Sequence, residues 1–141
     1  MARKTEELDT ILKSTQDTRD LEAYLEDIDG QETDFNMYVN SVLLERNLSI
    51  AELQRQSQIA RTYMYQIMDG TRNPGRDKVI AICLALEFDL PVTMRLLKST
   101  GNAVLYSKNR RDSVIIYAIS HGLSVAETNK LLDNYGQDRL Q

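Results

Sequence analysis

The chain has 141 residues, of which 42% are hydrophobic and 27% charged, with a formal net charge of -4 at pH 7 and a pI near 5.0. That length suits one domain, and no apolar run approaches the roughly 20 residues a membrane span needs. One cysteine and one histidine exclude an internal disulfide framework and an ordinary structural zinc site.

The N-terminal MARKTEELD is charged and lacks the apolar centre of a secretory signal, so a cytoplasmic protein is expected. There is no Gly-rich phosphate loop and no arrangement of nucleophile, base and orienting group. The expectation is a non-enzyme with no cofactor. Two prolines, six glycines and few β-branched runs point to an all-α fold.

Charge is unevenly distributed. Residues 1 to 34 hold four basic and eleven acidic side chains, about -7, whereas 35 to 141 hold thirteen basic and ten acidic, about +3. Two short amphipathic patterns lie in the acidic part. Leu8, Ile11 and Leu12 have helical spacing within 5–14, and Leu21, Tyr24, Leu25 and Ile28 within 18–28. DIDGQETD (27–34) reads as a linker. Residues 1–33 are therefore expected to form an acidic arm, partly helical or disordered.

From Asp34 the pattern predicts a helix to about Arg46, capped by Asp34, with Met37, Tyr38, Val42 and Leu43 facing inward. Asn47 stops it. Ser49 and Glu52 form a capping box for a short helix that buries Ile50, Leu53 and Ser57. Met64, Ile67 and Met68 then make a fresh stripe that requires a new helix from near Ile59, closed by Gly70. Pro74 precedes or opens the next helix, whose buried side is Val79, Ile82, Cys83 and Leu86. A fifth helix, with Met94, Leu96 and Leu97 inward, runs from Leu90 to Ser99 and ends at Gly101. Residues 102–141 are read as a helical hairpin. Its first helix leads to Gly122, and its second starts at a Ser124/Glu127 capping box and ends at Gly136. NLSIAEL (47–53) and GLSVAET (122–128) echo each other 75 residues apart.

Two short helices joined by a tight turn, inside a five-helix unit, form a helix-turn-helix arrangement. Over about 35–100 the chain resembles the Cro/phage-repressor type (XRE-like) helix-turn-helix regulators. SIAELQRQSQIARTYMYQIMDGTRNP followed by KVIAICLAL carries most of the likeness, through Ile67, Gly70, Arg72, Pro74 and the apolar stripe after them. Four positions depart from the family pattern. Gln58 stands where the turn glycine is usual, Gln54 at the small alanine, Met68 at the glutamate before the closing glycine, and Ile50 at a backbone-contacting glutamine.

The resemblance implies a five-helix Cro/repressor-like domain over 34–101, and the C-terminal hairpin over 102–141 is expected either to pack on it or to form a dimer interface through Val114, Ile115, Ile116, Tyr117, Leu131, Leu132 and Tyr135. It places base-reading side chains at Arg61, Thr62, Tyr65 and Gln66, and phosphate contacts at Arg72, Asn73, Arg76 and Lys78. Arginine suits guanine and glutamine suits adenine in the major groove, and a helix N-terminus suits phosphate. Tyr63 is expected to be a packing residue, and Arg110 and Arg111 a polar helix start. The implied function is a transcriptional regulator that binds double-stranded DNA as a homodimer, with the acidic arm available to a protein partner. The alternative is a protein-interaction adaptor or antagonist on the same scaffold that does not bind DNA.

Overall fold

A computed structural model describes residues 34–141, so the readings for 5–14, 18–28 and the acidic arm fall outside the described residues. The described residues are all-helical, with no strand. The helices are α1 (Phe35–Arg46), α2 (Ile50–Ser57), α3 (Arg61–Asp69), α4 (Arg76–Ala85), α5 (Leu90–Ser99), α6 (Arg110–Ser120) and α7 (Val125–Asn134). None is long and apolar enough to cross a membrane.

Local chemistry sets the boundaries. The Ser49 hydroxyl accepts from the Glu52 amide and the Glu52 carboxylate returns to the Ser49 amide; Ser124 and Glu127 do the same. Asp89 and Asn109 cap α5 and α6 through their side chains. Asn47 ends α1 in the left-handed region at φ 57°.

The expected α1 stripe holds at Leu43, and in part at Tyr38 and Val42, but not at Met37. Met37 is 60% exposed, and the buried line is Phe35, Val39 and Leu43. Phe35, the first helical residue, sets that register, with Tyr38 and Val42 only half-buried beside it. Asp34 occupies the cap position, but its carboxylate makes no cap hydrogen bond. One apolar core runs from Phe35 through Ile80, Leu97 and Ile115 to Leu132, so α6 and α7 share it with α1–α5.

Two ion pairs reveal an internal order. Arg76 grips Asp112 with Nη1–Oδ1 at 2.9 Å and Nη2–Oδ2 at 2.8 Å, while Arg111 grips Asp77 at 3.1 and 2.8 Å. These residues begin two copies of one pattern, R-D-x-V-I-x12-T-x2-L-L-x3-G-x3-L, over 76–105 and again 35 residues later over 111–140.

The backbone contacts repeat at the same offset. Arg76 also donates to the carbonyls of Ala103 and Val104, and Arg111 to those of Asp138 and Arg139. Asp112 accepts from the Tyr106 amide, and Asp77 from the Gln141 amide. Buried Thr93 and Thr128 donate to Asp89 O and Ser124 O. The left-handed corners also match, Glu87 with Gly122 and Gly101 with Gly136.

Because each copy's arginine reaches the other copy's aspartate, the hairpins α4–α5 and α6–α7 are related by a two-fold rather than a translation. Helix contacts agree with this, since α4 meets α7 and α5 meets α6. The echo at 75 residues has another origin. Leu48, Phe88 and Leu123 each follow a left-handed residue, and each amide bonds the carbonyl five positions back. That corner serves all three hairpins.

Candidate nucleic-acid interface

Helices α2 and α3 are joined by Gln58, Ile59 and Ala60. Gln58 holds the left-handed conformation itself, at φ 60° and ψ 23°. Gln54, in place of a small residue, is half-buried, and its amide donates to the Ile59 carbonyl at 2.7 Å. Ile59 is buried and pins the turn to the core. The turn is thus built without glycine, from a strained residue and a side-chain bond across it.

α3 buries Met64, Ile67 and Met68 and presents Arg61, Thr62 and Tyr65 to solvent. Ala60 caps its start with no side chain, which leaves the first-turn amides to outside acceptors. The Arg61 guanidinium lies 5.7 Å from the Tyr65 ring centre, one helical turn on. At the other end Gly70 takes φ 84°, the left-handed conformation that favours glycine, and a Cβ there would also crowd Asn36 Nδ2 at 3.0 Å. Asn40 of α1 donates to the Met68 carbonyl and fixes that end.

Tyr63 organises the following loop. Its ring lies under the Arg72 guanidinium at 4.6 Å and near the Lys78 ammonium at 5.2 Å, and its hydroxyl accepts from the Gly75 amide at 3.4 Å. Gln66 Oε1 accepts from Arg72 Nε at 2.9 Å. Arg72 is exposed, and among the described residues nothing accepts from its two terminal nitrogens. Gly75 starts α4 without a side-chain cap. Arg72, Lys78 and the α4 amides therefore lie around one edge of α3, all of them donors.

The eight predicted site residues divide. Arg61, Thr62, Tyr65, Gln66, Arg72 and Lys78 share this surface. Asn73 is exposed, but one amide hydrogen is engaged by the Thr100 carbonyl at 2.8 Å. Arg76 has a different task, because four of the five N–H groups of its guanidinium are engaged by Asp112 and two carbonyls. That leaves one Nη1 hydrogen of Arg76 for a phosphate, so the side chain serves first to join α4 to α6. Gln66 is limited too, since its amide oxygen already holds Arg72. The organising role of Tyr63 and the bond made by Gln54 are not evident from the sequence pattern. Their only sequence signal was that each occupies a packing position with a polar end.

Among the described residues no cluster of His, Cys, Asp or Glu is placed to hold a metal ion. Comparison of the chain with protein-family models, curated proteins and solved structures finds no match.

Proposed function

We propose that this chain is a sequence-specific DNA-binding transcriptional regulator that lays α3 in the major groove and acts as a homodimer. α1–α5 then serve as a Cro/repressor-like unit. One observation carries the reading. An uncapped helix start exposes Arg61, Thr62 and Tyr65 beside an Arg72 that is pre-oriented by Tyr63 and Gln66. Arg61 suits a guanine edge, and Arg72, Lys78 and the α4 N-terminus suit the flanking phosphates. Gln66 would need to release Arg72 before pairing bidentately with adenine, so Arg61 is the leading base reader.

The test is fluorescence anisotropy against selected duplexes over a salt series. Binding should weaken steeply with salt, and Arg72→Ala should lower the salt slope by about 1. Arg61→Ala should cost about 1–3 kcal/mol on the preferred site and relax its specificity. No binding to any duplex at low salt would sink the proposal.

A second reading is favoured by the engaged Gln66 oxygen and by the charge of about -7 on residues 1–34. In it the same surface binds an acidic protein segment rather than DNA. Competition by a duplex separates the two.

A further inference from the structure

The two-fold between hairpins gives every face of α4–α5 a counterpart on α6–α7. On the first hairpin Val79, Ile82, Leu96 and Thr100 are all buried. α4 lies against α2, and Thr100 receives the Asn73 side chain from the loop after α3. Their counterparts 35 residues on are Val114, Tyr117, Leu131 and Tyr135. Tyr117 is 51% and Tyr135 57% exposed. With Ser113 these residues line an open cavity of about 320 Å³ that nothing among the described residues covers.

We propose that this face of α6–α7 binds the same face of a second copy of this chain, forming a two-fold dimer. The choice of partner rests on charge. No charged side chain lines the cavity, so two copies meet there without repulsion. The amphipathic stretches within 1–33 also offer apolar side chains, but the many acids around them find no cation in this lining. Depletion of charge and enrichment in tyrosine are what the buried centres of protein interfaces display. Tyr117 is also held in advance. Its ring stacks on His121 with centroids 3.9 Å apart and 20° between planes, and His121 Nδ1 lies 2.8 Å from the Tyr117 carbonyl oxygen. A side chain already ordered loses less freedom on binding. The proposal gives the homodimer of the preceding reading its surface, and it is testable without DNA.

The experiment is sedimentation equilibrium of the full chain without DNA, from micromolar to high micromolar concentration. The expected result is a monomer–dimer equilibrium that Tyr117→Asp weakens by about 100-fold or more, since a central aromatic is lost on both sides and a charge is buried. Tyr65→Asp on α3 should leave that equilibrium unchanged. Helical content and melting temperature check that each variant folds. A monomer at every concentration overturns the proposal. So does a dimer indifferent to Tyr117→Asp, or a monomer whose melting temperature drops with Tyr117→Asp, which would indicate cover from within the chain. A DNA-free dimer that ignores every duplex overturns the DNA reading and leaves this one, whereas a monomer that binds DNA does the reverse.

Discussion

Arg76 and Asp112 meet as a two-bonded pair across the internal two-fold, and Arg111 returns the contact to Asp77. Asp112 is 5% exposed and accepts a third bond from the Tyr106 amide. Removing the arginine leaves a buried carboxylate without its counter-charge, which costs far more than a surface pair is worth. Arg76→Ala should lower unfolding free energy by about 3 kcal/mol, measured by urea denaturation. Reversing both partners, Arg76→Asp with Asp112→Arg, should recover part of the loss. A loss under about 1 kcal/mol, the scale of an exposed pair, would show the pair to be ornamental.

The same carboxylate sets a response to acid. Burial pushes the Asp112 pKa up, but the Arg76 hydrogen bonds, the Tyr106 amide and the charges of Arg76 and Arg111 outweigh it and hold the value below normal. In the unfolded chain the value is near 3.9. A depressed folded value means that this stability is present in full above about pH 4 and disappears as pH falls through the folded value. The urea midpoint should therefore fall below pH 4, and Asp112→Asn should flatten that fall while lowering stability at neutral pH. An unchanged acid slope in the variant would assign the effect to other carboxylates.

The sequence was legible wherever structure is dictated within a few residues. Asn47, the Ser49–Glu52 and Ser124–Glu127 boxes, Gly70, Gly101 and Gly136 marked helix ends correctly because a cap or a left-handed residue acts on its own neighbours. Within α1 only Met37 was misplaced, because the buried line at helical spacing starts at Phe35 and leaves Met37 on the far side. The repeat was hidden for another reason. Most of its recurring positions are Val, Ile and Leu, which any helical hairpin shares. Its distinctive Arg-Asp pairs sit at helix starts, where charge ordinarily reads as solvated. The pairing of Arg76 was hidden on the same ground. From sequence alone, a cation beside a phosphate-binding loop looks the same as one that reaches 36 residues ahead to Asp112.

The turn before α3 carries measurable strain. Gln58 is exposed in the left-handed region, which costs a residue with a Cβ about 1 kcal/mol. Glycine would remove that strain but would also enlarge the freedom of the unfolded chain. Gln58→Gly should therefore stabilise by about 0.5 kcal/mol. Gln54→Ala should destabilise by about 1 kcal/mol, because the Ile59 carbonyl loses its donor. Thermal denaturation of the two variants reads both signs, and a destabilised Gln58→Gly protein would mean that the glutamine side chain supports the turn.

Cys83 should be chemically silent in the folded protein. It is fully buried, and burial pushes its thiol up to about 12 against a weaker opposing hydrogen bond with Thr93. Since thiolate is the reactive form, a thiol reagent such as Ellman's should label it only at the rate of unfolding. Rapid stoichiometric labelling under native conditions would contradict the packing of α4.

Tyr63 separates organisation of the surface from contact with a partner. It bears Arg72 on its face and the Gly75 amide on its hydroxyl, yet it is only half-exposed behind Arg61, Thr62 and Tyr65. Tyr63→Phe keeps the ring and loses one long hydrogen bond, so binding should change by less than about threefold, at the low end of the 0.5–1.5 kcal/mol range of a net hydrogen bond. Tyr63→Ala removes the platform that orders Arg72. Each cation–aromatic contact is worth about 0.5–1 kcal/mol at such a site, and the loop must then be ordered on binding. Affinity for duplex DNA should fall by about tenfold while the preferred sequence stays the same, because Arg61 is untouched. Anisotropy on the preferred and a scrambled duplex distinguishes this from a direct contact, which would shift the preference as well. Equal effects of Phe and Ala substitution would place the whole contribution in the hydroxyl and remove the stacking role.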